Sequence, residues 1–173
     1  MKKKFIILVC VLSFVLCGCF SSADSTNEKG KKTNEFNFGE IAKVNDTKIT
    51  LNSVKKIEKE CLYKWEGKCQ SYTEPDNDYF LLIDLTIAND GKENLSISSL
   101  LSFDLKDNNG EKGSITYLLN SVKSQLDGDI VAGDKLKGQI AFDVKDSDVF
   151  YFYYRDGLLD SPVKFVINKG DIK

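Results

Sequence analysis

The sequence predicts an all-β domain, a β-sandwich of two packed sheets with about seven to eight antiparallel strands. Three observations carry that prediction. Apolar and polar residues alternate with a period of two in segment after segment. Gly, Asp and Asn punctuate the intervals between those segments. Helical periodicity is almost absent, so no helical layer is available to cover a single sheet.

The first segment, TKITLNSV at 47–54, sets Ile49, Leu51 and Ser53 on one face and Lys48, Thr50 and Asn52 on the other. In DYFLLIDLTIAND, 78–90, Leu81, Ile83, Leu85 and Ile87 oppose Asp84 and Thr86. DKLKGQIAFDV, 134–144, turns Leu136, Ile140, Phe142 and Val144 inward and Lys135, Lys137, Gln139 and Asp143 outward. VFYFYYRD and PVKFVIN continue the period to the end of the chain, the latter with Val163, Phe165 and Ile167 on one side. This is the pattern of half-buried antiparallel strands. Asp90-Gly91 and Asn109-Gly110 are tight-turn dipeptides, because Asn, Asp and Gly tolerate positive φ. Around 115–126 the apolar spacing is ambiguous between a short helix and an irregular crossing.

Upstream of the strands the chain opens MKKKFIILVCVLSFVLCG, three lysines followed by an apolar run and a small residue. That is the layout of an export signal. The run is shorter than the ~20 apolar residues of a spanning helix, so residues 1–18 are expected to leave as a signal peptide. Leu16-Cys17-Gly18-Cys19 resembles a bacterial lipobox, although Ala, Ser or Thr is usual where Cys17 stands. The resemblance implies cleavage before Cys19 and lipidation of its thiol, with the membrane as partner through that anchor. Cleavage by the general signal peptidase, leaving Cys19 a plain thiol, is the alternative. Residues 19–35 carry almost no large apolar side chain and read as a disordered tether. A flexible coil of about 17 residues reaches on the order of 20 to 25 Å. Residues 36–173 are one domain's worth of chain, long enough to bury a real core.

Export gives meaning to the cysteines. Of five, Cys10 and Cys17 leave with the leader and Cys19 is capped, so Cys61 and Cys69 remain. A remaining pair in an exported protein reads most simply as a disulfide. A metal site needs more ligands than two thiolates, and the chain has no histidine. A redox pair is more typically Cys-x-x-Cys, whereas seven residues intervene here. The stretch CLYKWEGKCQSY, 61–72, looks like a loop, and a bridge across it would make it a stapled one.

The order of the strands carries a second resemblance. FGEIAKVNDTKITLNSVKKI, YFLLIDLTIANDGKENLSIS, FDLKDNNGEKG, GDKLKGQIAFDV and VKFVI together resemble the immunoglobulin-like domain of small bacterial, mainly Gram-positive, lipoproteins and secreted antigens of unknown function. Members often carry a misleading telomeric-repeat-binding-factor-like label. The likeness covers nearly all of 38–167 and implies an immunoglobulin-like β-sandwich. It brings no catalytic motif, and it makes the 61–69 stretch an elaboration of the loop between the second and third strands.

Chemistry is sparse. Without histidine there is no Ser-His-Asp triad and no Cys-His dyad. No Gly-x-Ser-x-Gly elbow or phosphate-binding glycine loop occurs. Aligning Gly110 with the glycine of an EF-hand loop puts Leu105 and Thr116 at the first and last ligand positions, so that pattern fails. Glu74, Asp76 and Asp78 alternate in EPDND but Tyr79 follows, and a solvated acidic loop is the better reading. The pairs Asp127/Asp129 and Asp146/Asp148 read the same way. No metal or cofactor is therefore expected. Loss of Lys2, Lys3 and Lys4 leaves 21 basic residues against 26 acidic ones, a mature charge near −5, which disfavours nucleic acid as a partner.

Two aromatic groups remain. In 151–154 the alternation puts Tyr151 and Tyr153 on one face and Phe152 and Tyr154 on the other, one pair for the core. Tyr63, Trp65 and Tyr72 lie in or beside the 61–69 stretch and are the candidate binding residues. The competing expectation is that Trp65 folds back to cap an open end of the sandwich. The function expected is a non-enzymatic binding module of a membrane-anchored lipoprotein, on the outer face of the bacterial cell membrane. Its partner would be an envelope or host protein or a cell-wall polymer. A structural envelope spacer and a carboxylate-based cell-wall hydrolase are the alternatives.

Overall fold

Alternation becomes structure along three long strands. The computed structural model describes residues 34–117, 119–156 and 161–173, so the leader, Cys10, Cys17, Cys19 and most of the tether lie outside the described residues. In chain order the strands are β1 (Glu35–Asn37), β2 (Ile41–Val44), β3 (Thr47–Ile57), β4 (Glu60–Trp65), β5 (Lys68–Thr73), β6 (Tyr79–Asn89) and β7 (Leu95–Ile97). After them come β8 (Phe103–Asp107), β9 (Ser114–Thr116), β10 (Gly128–Ile130), β11 (Lys135–Val144), β12 (Val149–Tyr154) and β13 (Val163–Asn168). A single 3-10 turn, Lys169–Asp171, follows.

Two main sheets face one another. One is five-stranded in the order β2-β3-β6-β11-β9, the other four-stranded in the order β1-β13-β12-β8. Ile49, Leu51, Leu81, Ile83, Leu85, Ile87 and Phe142 of the first meet Leu105, Phe150, Phe152, Tyr154, Phe165 and Ile167 of the second in one buried cluster. Phe152 is central: its ring lies 5.6 Å from that of Phe103, 6.2 Å from Phe142 and 6.5 Å from Phe165. The 151–154 alternation falls as expected, with Phe152 and Tyr154 inside and Tyr151 and Tyr153 half-buried outside.

The molecule departs from the sequence reading at particular residues. The two-stranded ladders β4-β5 and β7-β10, together with three-residue strands such as β1 and β9, take the count past seven to eight. Segments that short display no period. β1 pairs with β13 in parallel, while the other strand pairs are antiparallel. Ser53 does not point inward: the register of β3 on β6 shifts between Leu51 and Ser53, so the next core residue is Val54. Asn52 sits in that bulge and its side-chain amide donates to Asp84 (2.6 Å) and Thr86 (3.0 Å). Asp143 is outward but buried, because the EPDND loop folds over it. It accepts from the backbone N–H groups of Asp76 (2.6 Å) and Asn77 (3.1 Å) and from the Asn77 amide (2.9 Å). Asp90-Gly91 is a bend rather than a tight hairpin turn, and Gly91 has no positive φ, whereas Gly110 does (85°).

The ambiguous 115–126 stretch resolves as β9 followed by an irregular crossing, not a helix. Leu119 and Val122 from it cover Phe80, Leu82 and Ala141 on the outer face of the five-stranded sheet. The crossing runs so close to β11 that a Cβ on Gly138 would lie 2.8 Å from Leu126 Cδ2 and 3.0 Å from the Ser124 carbonyl. Glycine there lets the crossing sit down, and the crossing in turn supports the element described next.

Candidate interaction surface at the stapled hairpin

The stretch expected to be a loop is a β-hairpin. β4 and β5 pair antiparallel, with register slips on either side of Tyr63. Cys, Tyr, Trp and Thr suit a pleated strand, and Glu66-Gly67 closes the turn with both residues at positive φ, 47° and 75°. That is the sign pattern of a type I′ turn, whose twist matches the flanking strands.

A lone two-stranded hairpin is marginal in water. Two devices secure this one. Cys61 and Cys69 are bonded as a disulfide, their Cα atoms 5.8 Å apart. The root is tied to the crossing: the Asn120 amide donates to the carbonyls of Cys61 and Leu62, both at 3.0 Å, and the Ser121 hydroxyl donates to Glu60 Oε2 at 2.7 Å.

Among its exposed side chains the hairpin presents four large apolar ones. Trp65 is 61% exposed, Tyr63 54%, Tyr72 51% and Leu62 43%. Trp65 therefore does not fold back over the sandwich: it stays exposed on a separate two-stranded ladder. The hairpin brings the predicted Tyr63, Trp65 and Tyr72 onto one small element. Leu62 belongs with them and was overlooked, though it stands in the same CLYKW run. Asn120 and Ser121 carried no signal at all, since only the fold brings them to the hairpin. Between hairpin root and crossing lies an open cleft of about 530 Å³ lined by Ile57, Lys59, Lys64, Asn120, Ser121 and Lys123 among others.

The other expected aromatic face is not an open platform. Tyr151 and Tyr153 are half-buried, and Lys164 Nζ lies 4.8 Å from the Tyr151 ring centroid and Lys106 Nζ 5.9 Å from that of Tyr153. Three of the four acids in the two pairs are likewise engaged. Asp127 accepts from the backbone and hydroxyl of Ser99, and Asp129 from Ser96. Lys169, bonded at 2.8 Å, holds the Asp146 carboxyl below the usual carboxylate range.

A second open cleft, about 460 Å³, is lined by Asp46, Asp90, Glu93 and Asp156. Asp90 is paired with Lys48, and Asp156 accepts from the Thr47 hydroxyl at 3.2 Å. The Asp90 and Asp156 carboxylates thus tie loops together, and nothing in this cleft favours the hydrolase alternative. Among the described residues, no group of three or more metal-ligating side chains is assembled.

Taken together, fold and surface define a class: a small β-sandwich domain that holds an aromatic hairpin clear of its core. The chain belongs to the family described as a domain of unknown function, DUF4352, which it matches over residues 36–162. None of the curated proteins matches it. Among solved structures it is similar to the yjhA protein of Bacillus subtilis, at 19% identity and TM-score 0.55, covering 77% of this chain and 98% of that one. It also resembles a presumed lipoprotein of Bacillus subtilis, ycdA, at 20% identity and TM-score 0.59, covering 76% of this chain and 39% of that one. The secreted protein MPT63 of Mycobacterium tuberculosis is similar at 11% identity and TM-score 0.52, covering 78% of this chain and 95% of that one. Likeness at these identities speaks to the fold.

Proposed function

We propose that this protein is an extracellular lipoprotein held to the cell membrane through Cys19, whose immunoglobulin-like domain is a non-enzymatic interaction module of the cell envelope. The observation that carries the proposal is the stapled hairpin, with Leu62, Tyr63, Trp65 and Tyr72 all more than two-fifths exposed. Large aromatic side chains give much contact area for little lost side-chain entropy, and a covalent staple lowers the ordering cost of binding further. A disulfide between the two cysteines also suits an exported chain. The export-type leader and the lipobox-like Leu16-Cys17-Gly18-Cys19 support the anchor.

Crosslinking on intact cells tests this. Material captured by the wild-type chain is compared with that captured by a Tyr63→Ala, Trp65→Ala variant of equal thermal stability. Capture of an envelope component by the wild type and its loss in the variant is the expected outcome. Identical capture by both would make the hairpin a structural appendage and move the contact surface to the sheets.

A further inference from the structure

The hairpin's aromatic side chains are only half of what that end of the molecule offers. The chain as a whole is acidic, with 24 basic residues against 26 acidic, yet the cleft under the hairpin is lined by Lys59, Lys64 and Lys123 with Glu60 as its acid. Glu60 already accepts from Ser121. Among the described residues none of the three lysines is in an ion pair: the eight pairs present use other lysines and one arginine. Of the further acids, Glu58 is engaged by Lys56 at 3.2 Å, and Glu66 at the hairpin tip is matched in number by Lys68, which pairs with Trp65 across the turn. Lys59 leans over the Tyr72 ring at 4.9 Å, which places a cation and an exposed aromatic face side by side.

Resting on the interaction-module reading, we propose that this end of the domain docks on an anionic phospholipid surface. The lysines would meet headgroup phosphates, while Trp65, Tyr63 and Leu62 enter the interfacial layer. Two properties of the hairpin end select that occupant. Tryptophan and tyrosine favour the membrane–water interface, where one end of the ring is apolar and the other wet. Unpaired lysines beside them complement a negative surface, each strengthening binding about fivefold. A partner without negative charge would account for the aromatics but leave the lysines beside them without a role.

The test uses residues 32–173, which form one compact unit. The yjhA chain, 98% of which is covered by the match, is a unit of similar extent, and a cooperative melt of the 32–173 chain is the first check that it has folded. Co-sedimentation is measured with vesicles of phosphatidylcholine alone and of an equal mixture of phosphatidylcholine and phosphatidylglycerol. The expected result is binding to the mixed vesicles only. It should fall on the order of a hundredfold in a Lys59→Gln, Lys64→Gln, Lys123→Gln variant and weaken in high salt. The Tyr63→Ala, Trp65→Ala variant should lose it too, and its tryptophan-dependent emission shift with it. All substituted side chains line an open surface, and the melting curve of each variant reports that it has folded. Equal binding to both vesicle types, or none to either, overturns the proposal. So does unchanged binding in the lysine variant. Failure here leaves the cell-crosslinking result standing, because that experiment reads any envelope partner.

Discussion

Phe152 and Trp65 are both large aromatic residues on antiparallel strands, and their surroundings are opposite. Phe152 is fully buried with three aromatic neighbours, whereas Trp65 keeps 61% of its surface in solvent. The contrast separates two uses of the same side-chain chemistry. In the sandwich, aromatic area is removed from water and holds the sheets together. In the hairpin it remains available, and the element is held by a disulfide and by hydrogen bonds from Asn120 and Ser121 instead. A region that owes its shape to a staple can leave its apolar surface free for something else.

Paired substitutions give the largest test of that separation. Phe152→Ala is expected to lower unfolding free energy by about 3–5 kcal/mol, through lost transfer energy and the cavity left among Phe103, Phe142 and Phe165. Trp65→Ala should change it by less than about 0.5 kcal/mol, as for surface positions generally. Urea unfolding of both variants measures this. A Trp65→Ala loss comparable to that of Phe152→Ala would erase the distinction.

The staple comes next. Closing a ring of about nine residues limits the unfolded chain by about 2.5 kcal/mol on the chain-entropy account. A Cys61→Ala, Cys69→Ala variant is expected to lose up to that amount. Amide exchange should show where: protection should fall first at Lys64 and Lys68, while the β6 core positions Ile83 and Leu85 hold theirs. Uniform loss of protection over both regions would mean that hairpin and sandwich open as one unit.

Much of the sandwich was legible because its long strands bury one face, and burial writes itself as alternation. The inward set on β6, β12 and β13 follows directly from that. Where two factors act on one residue the alternation misleads. Asp143 reads as outward and is outward, but a loop distant in sequence covers it. Ser53 reads as inward, and a bulge at Asn52 turns it out. The hairpin's residues were identifiable by their unusual composition, yet its strand character was hidden, since an element exposed on all sides has no buried face to impose a period. Asn120 and Ser121 show the same limit for the site: they hold it from about sixty positions away, a relation only topology creates.

A smaller effect separates the core by titration. Burial, aided by the Asp146 carboxylate at 3.3 Å, pushes the Tyr79 hydroxyl up to about 12 from an ordinary 10.0. Burial and Asp156 raise Tyr154 as well. The fold favours the protonated form, so the stability Tyr79 contributes is complete below pH 10.0 and is lost as pH rises toward about 12, and Tyr154 carries the decline in the same direction. Unfolding midpoints should therefore fall across that window, and Tyr79→Phe should flatten the decline. The same slope with Phe at 79 would assign the alkaline limb to other groups. Tyr154→Phe carries a further expectation. Its hydroxyl is buried beside Thr47, whose own hydroxyl donates to Asp156 at 3.2 Å, and it makes no well-formed hydrogen bond among the described residues, so removing it should cost little or no stability at neutral pH.

The smallest effect lies at the hairpin tip. Glu66 adopts φ 47°, a left-handed conformation that costs a non-glycine residue about 1 kcal/mol because Cβ crowds the backbone. Asparagine tolerates that region and leads two-residue I′ turns, so Glu66→Asn should stabilise the hairpin by about 0.5 kcal/mol. Glu66→Gln makes the same charge change without relieving the backbone and serves as the control. Where the gain appears matters more than its size. If hairpin and sandwich unfold together, urea midpoints rise in the Asn variant alone. If the staple lets the hairpin open by itself, the gain appears only as slower exchange at Lys64 and Lys68, and the two regions are energetically separate as well as differently built.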